Sequence, residues 1–126
     1  MIHKFPVRVY YEDTDLAGIV YYANYLKFIE RGRSEWIREI GVNQIAMKAI
    51  GIVFAVRRVE ADYFKPAHYD DMLTIETSVE KVTAARLVVR QCVVRGTDLL
   101  FEALVTIVAI DRGGKPVRLP ANIRPN

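Results

Sequence analysis

Asp13 and Asp15 stand just past an apolar run, with Gly18 beyond them and helical spacing starting a few residues later. A carboxylate at such a junction can attack directly or activate water. The unpaired N–H groups of a helix N-terminus, carrying roughly half a positive charge, can stabilise an oxyanion close by. A bland loop-to-helix junction uses the same residue types, because Asp and Thr cap helices and close turns. Both readings stay open on these residues alone. Asp13 suits a structural part, holding the loop through backbone amides.

The other reactive side chains carry less. Ser34 has no base at useful spacing and no nucleophile-elbow context. Cys92 sits in an apolar run and reads as a small buried hydrophobe. His3 lies near a frayed end and His68 in a loop, outside the Asp-rich motif, which weakens any Cys/His or Ser/His mechanism. His68 could still reach a site within an assembly. The Asp-x-Asp pair lacks the further ligands of a calcium loop or zinc site, so no metal is expected. Glu30 and Arg33, at i and i+3, suit a surface ion pair, or support for a site or subunit contact.

These residues need elements to hold them. Phe5 to Tyr11 reads as a strand and Glu12 to Gly18 as a loop. Tyr21, Tyr25, Phe28, Ile29, Gly32, Trp36 and Ile40 recur at helical spacing, predicting a helix from about Val20 to Ile40 that stops at Gly41. Gly32 on its apolar face invites close approach of a neighbour. Asn43 to Ala49 predicts a short second helix. Val53–Tyr63, Met72–Lys81, Ala85–Arg95, Leu99–Ile110 and Pro116–Leu119 predict strands. Pro66 bars a continued ladder. Leu73, Ile75, Thr77 and Val79 share one face of their strand. Leu99–Ile110 is apolar enough to be central and covered on both faces. Strand, long helix and short-linked strands give an α+β protein with a helix over an antiparallel sheet. Apolar residues on both faces of Leu87–Val94 point to a homo-oligomer.

With 126 residues the chain reads as one domain, 1–126, large enough for a core burying roughly two-thirds of its unfolded surface. The 52% apolar and 26% charged content is ordinary for a globular chain. A net charge of +3 without like-charge runs argues against a nucleic-acid groove, although it suits a phosphate-bearing ligand. One cysteine excludes an internal disulfide framework. With no apolar N-terminal stretch, the expectation is a cytoplasmic protein without a membrane span.

Asp13-Thr14-Asp15, Gly18, Val20-Tyr21, Asn24-Tyr25, Glu30 and Arg33, then Tyr63-Phe64-Lys65-Pro66-Ala67 and Asp70-Asp71-Met72-Leu73, resemble the 4-hydroxybenzoyl-CoA thioesterase family of hotdog-fold proteins. The likeness is strongest to its Tol-Pal-associated, YbgC-type acyl-CoA thioesterases, and runs from about Val7 to Pro120. It implies a long helix wrapped by an antiparallel sheet, and hydrolysis of acyl-CoA to a carboxylic acid and free CoA. It implies Asp15 as the catalytic carboxylate and the Tyr22 N–H as the donor that polarises the thioester carbonyl. Gly18, Val20, Asn24 and Tyr25 would then line the substrate, with Asn24 orienting the loop or the acyl pocket. The resemblance points to Arg86 and Arg118, with Lys115 nearby, for the CoA phosphates; solvated surface charge is the competing reading. It implies no cofactor beyond the substrate's own CoA, and a dimer of dimers with interfacial sites. Two alternatives stand beside it. One is a non-catalytic module binding acyl-CoA or acyl carrier protein at the envelope. The other is a hotdog dehydratase or hydratase, which resembles its kin in using a His that the helix motif here lacks.

Overall fold

A computed structural model of the chain describes residues 1–123. The elements run β1 (His3–Arg8), α1 (Asn24–Glu39), α2 (Gln44–Ala49), β2 (Val53–Tyr63), β3 (Met72–Val82), β4 (Leu87–Arg95), β5 (Asp98–Ile110) and β6 (Pro116–Val117). All strand pairs are antiparallel, in the order β1-β3-β4-β5-β2, with β6 pairing with β5. This is the α+β hotdog arrangement: α1 lies against one face of the sheet.

The helix buries Tyr25, Phe28, Ile29, Gly32 and Ile37. Opposite them are Leu73 and Ile75 of β3, Leu87, Val89 and Val93 of β4, and Val105 and Ile107 of β5, all essentially inaccessible. Period-2 alternation on the strands meets period-3.6 spacing on the helix, and the core is their shared face. Gly32 sits where the helix runs closest to the sheet. A Cβ there would fall 2.5 Å from Cγ2 of Ile75. Gly41 ends the helix with φ +91, as a C-terminal glycine does.

Four expectations shift. β1 stops at Arg8 because Val9 donates to the Asp71 carbonyl and a 3-10 turn, Tyr11–Asp13, follows. His3 is not frayed: its Nε2 lies 2.8 Å from Glu39 Oε2, pinning β1 to the end of α1. Val79 pairs with Val89 on the inner face but is 47% exposed, because β1 begins opposite Thr77 and leaves it uncovered. β5 is interior to the sheet, yet this chain covers only one of its faces. Ala103, Val105 and Ile107 are buried while Leu104, Thr106 and Val108 remain part-exposed. A single helix layer covers a single face.

Among the described residues, no helix is long and apolar enough to cross a membrane.

Candidate active site

The loop before α1 folds on itself. Thr14 and Val20 form an antiparallel bridge. The Asp15 N–H donates to the Ile19 carbonyl at 2.9 Å, and the Gly18 N–H to the Asp15 carbonyl at 3.0 Å. Gly18 takes φ +81, which a side chain would strain. Asp15 therefore sits at the mouth of a tight turn, exposed, with Oδ1 accepting from the Ala17 N–H at 2.9 Å. It caps its own turn and not α1, whose cap position is Ala23. Among the described residues nothing donates to Asp15 Oδ2. Asp13 is structural, as its place in the loop suggests: Oδ2 accepts from the Tyr10 N–H at 2.8 Å.

The helix begins at Asn24, later than the periodicity from Val20 suggests. Val20 donates to the Ala67 carbonyl at 2.8 Å and Tyr21 to the Asp13 carbonyl at 2.9 Å, so both amides are spent on tertiary partners. Tyr22 thus stands two residues ahead of α1. The Asn24 N–H closes the turn onto the Tyr21 carbonyl at 2.8 Å. The Asn24 side chain donates to the Asp13 carbonyl at 2.9 Å, so Asn24 orients the loop. Among the described residues, the N–H groups of Tyr22 and Ala23 have no acceptor. They open at the positive end of a sixteen-residue helix.

Behind this turn lies an aromatic cluster. Tyr25 is buried and stacks on Phe101, centroids 5.1 Å apart. Its hydroxyl accepts from the Ala67 N–H at 3.0 Å. Burial pushes its phenol above the ordinary range, against the Ala67 hydrogen bond and the Arg95 charge. Tyr63 packs edge-on to Phe101 and Tyr25 and donates to the Tyr22 carbonyl at 2.8 Å. Val20 is buried in the same core.

The β2–β3 connection completes this end. His68 bridges Ile19, so the histidine set apart in sequence lies beside the Asp15 turn. Neither its distance in sequence nor its residue type signals that contact. Asp71 accepts from the His68 N–H and from Arg95 Nη1, both at 2.9 Å. Burial pushes the Asp71 carboxyl up, but these two donors outweigh it and hold it below the ordinary value. Arg95 and Lys65, which also pairs with Asp98 at 3.2 Å, are thereby tied up in ion pairs.

The segments that carry Arg86 and Arg118 meet at the other end of the molecule. Leu119 donates to the Ala84 carbonyl at 2.8 Å, joining the β3–β4 turn to the segment after β6. Asn122 donates to Ile40 at 3.1 Å, placing that corner at the helix C-terminus. Sixteen residues of helix span about 24 Å. One chain therefore does not bring these arginines to Asp15 or Tyr22. Arg33 is no surface ion-pair partner either. It reaches under the helix to Gln91 Oε1 at 2.8 Å, and Glu30 remains exposed. Cys92 lies on the outer sheet face, part-exposed, with its thiol pushed up to about 11 by burial and by Glu102.

A groove of about 550 Å³ runs along α1 beside β2, lined by Leu26, Ile29, Val56, Val59 and Val105 together with the charged Lys27, Glu30, Arg31 and Arg33. An exposed carboxylate and unpartnered N–H donors just ahead of α1, with an apolar groove along that helix, suit hydrolysis of an acyl compound.

Residues 17–102 match the model of the thioesterase superfamily, starting two residues after Asp15. Over 124 residues the chain is 42% identical to the acyl-CoA thioester hydrolase YbgC of Escherichia coli O6:H1, covering 97% of this chain and 92% of that protein. It is 40% identical over 123 residues to the acyl-CoA thioesterase YbgC of Haemophilus influenzae, covering 96% and 90%. A solved Bartonella henselae structure, described as a probable thioesterase, superposes with a TM-score of 0.91 at 42% identity, covering 95% of this chain and all of that one. The chain belongs to the thioesterase superfamily, among the YbgC-type acyl-CoA thioesterases.

Proposed function

We propose that this chain hydrolyses acyl-CoA thioesters with Asp15 as the reacting carboxylate and the Tyr22 N–H as the oxyanion donor. One observation carries the reading. The Asp13 carbonyl accepts from both the Tyr21 N–H and the Asn24 side chain. That single atom locks the loop bearing Asp15 to the turn bearing Tyr22, so carboxylate and donor keep a fixed relation. The thioester carbon accepts an oxygen, its carbonyl oxygen becomes an oxyanion held at the Tyr22 N–H, and the C–S bond breaks to release CoA thiolate. Asp15 either attacks that carbon, giving an anhydride that water opens, or takes a proton from the attacking water. The chemistry calls for water and for no metal or redox group. The groove beside Leu26 and Val59 suits an acyl chain, and Gly18 leaves the mouth of the turn free of a side chain.

The reading includes a homo-oligomer, a dimer of dimers with sites between subunits. Two features support it. Among the described residues β2 pairs only with β5, leaving an eleven-residue strand with one unpaired edge, and such edges are normally covered. Arg86 and Arg118 lie a helix length from Asp15, so they would meet the CoA phosphates of a second copy's site. Acyl-CoA as substrate and a lone free thiol fit a cytoplasmic enzyme. Acyl carrier protein would present the same thioester.

The test is Asp15→Asn beside wild type on a panel of short, long and aromatic acyl-CoA substrates, with free thiol measured. Turnover should fall by about a thousandfold or more while acyl-CoA binding, followed by calorimetry, persists. Unchanged hydrolysis would sink the assignment.

A further inference from the structure

The peptide units on either side of Tyr22 both have their carbonyls hydrogen-bonded. The Tyr21 carbonyl accepts from the Asn24 N–H at 2.8 Å. The Tyr22 carbonyl accepts from the Tyr63 hydroxyl at 2.8 Å, a contact spanning 41 residues. In a planar trans peptide the N–H points opposite to its C=O. The Tyr21 carbonyl shares its peptide unit with the Tyr22 N–H, and the Tyr22 carbonyl shares its unit with the Ala23 N–H. Each carbonyl hydrogen bond therefore fixes the direction of one N–H. It also polarises the unit and makes that N–H a stronger donor. The first bond is local to the turn. The second comes from the last residue of β2 and has no counterpart in the turn itself.

Tyr63 is built for this task. Its ring is about half exposed (49%) and packs edge-on against Phe101 at 4.9 Å, Tyr25 at 5.4 Å and Tyr22 at 6.4 Å. Phe101, the register partner of Tyr63 on β5, is buried. Three aromatic contacts on the ring favour one direction for the hydroxyl. Burial raises the phenol above its ordinary value, with Tyr22 and Tyr25 adding to the shift, so the hydroxyl stays a donor over the neutral range.

We propose that Tyr63 is a positioning residue for thioester hydrolysis, aligning and polarising the Tyr22–Ala23 peptide so that the Ala23 N–H joins the Tyr22 N–H as a second oxyanion donor. The inference rests on the site reading above, in which the Tyr22 turn holds the oxyanion. Tyr63 touches no reacting atom. It sets the direction and strength of the Ala23 N–H beside the Tyr22 donor, and its effect belongs in kcat. Removing a direct oxyanion donor costs about a hundred- to a thousandfold. An indirect polarising bond should cost about tenfold.

The experiment uses the full chain as wild type, Tyr63→Phe, Asp15→Asn and Asp15→Asn/Tyr63→Phe. Tyr63→Phe keeps the ring and removes only the hydroxyl. The expected result is kcat down about tenfold with KM within about twofold. In the Asp15→Asn background, the carbonyl stretch of bound acyl-CoA, read by infrared difference spectroscopy, should move back toward its solution position when the hydroxyl is removed. A purely structural hydroxyl would leave that stretch unmoved. If Tyr63→Phe folds poorly, 3-fluorotyrosine placed at residue 63 keeps ring and hydrogen bond and should hold kcat within about twofold of wild type. A loss there like that of Phe counts against the idea. Turnover lost in Asp15→Asn but unchanged in Tyr63→Phe overturns this inference alone. Turnover retained in Asp15→Asn overturns the site reading, and this inference with it.

Discussion

Arg33 Nη1 donates to Gln91 Oε1 at 2.8 Å, and Gln91, on the middle of β4, is fully buried beneath α1. The amide nitrogen of Gln91 donates to the Ile29 carbonyl at 2.8 Å and to Thr77 Oγ1 at 2.9 Å. One side chain thus ties the helix to two strands, two turns after the Tyr22 turn. Burial holds the Arg33 guanidinium below its ordinary value, while Glu30 pulls it back up. Gln91→Leu would strand the Arg33 donor and the Thr77 hydroxyl. The expected cost is about 2–4 kcal/mol in urea unfolding. Arg33→Met in the same chain should recover at least half, because the apolar pair leaves no buried charge and only the Thr77 hydroxyl without its partner. A double variant as weak as Gln91→Leu alone would refute the network.

Gly32→Ala sets two effects against each other. Alanine favours a helix interior by about 1 kcal/mol. Its Cβ would meet Ile75 Cγ2 at 2.5 Å and Ile75 Cβ at 3.0 Å, and overpacking of this kind costs about 1–3 kcal/mol. Ile75 sits in the close-packed centre of β3 and cannot step aside. Net destabilisation of up to about 2 kcal/mol is expected from the urea midpoint. Combined with Ile75→Ala, the loss should be clearly less than the sum of the two. Strict additivity would mean that helix and sheet do not meet here.

Asp71 predicts an acid limb. Its folded carboxyl lies below the ordinary 3.8, held by the His68 N–H and Arg95 against burial. A depressed carboxyl contributes stability that is fully present above the unfolded value and lost as pH falls through the folded one. The melting temperature of wild type should therefore exceed that of Asp71→Asn by a constant margin above about pH 5. The margin should shrink below pH 3.8 and vanish at lower pH. Thermal melts from pH 7 to pH 2.5 check this. A gap that stays constant to the acid end would show that Asp71 acts through shape and not charge.

By itself, the sequence determined whatever depends on neighbours along the chain. Strand and helix periodicity marked β2 at Val53–Tyr63 without error, and the apolar face of α1 along with it. Gly18, Gly41 and the hairpin at Asp111 follow from turn chemistry, and Gly32 from its place on an apolar face. The Asp13–Asp15 motif was legible because its residues hydrogen-bond within a dozen positions of one another. The tertiary structure decided what depends on distant partners. The start of α1 moved from Val20 to Asn24 because Ala67 claims the Val20 N–H. Arg33 left the surface because Gln91, 58 residues away, offers a buried acceptor. His68 came to the Asp15 turn, and Arg86 and Arg118 went to the opposite end, through sheet register alone. Tyr63 reads in sequence as the end of a strand. Only antiparallel pairing with Phe101 turns its hydroxyl onto the Tyr22 carbonyl. Local patterns encode which element forms and which face is buried, whereas hydrogen-bond partners across the sheet depend on register, which no local pattern carries.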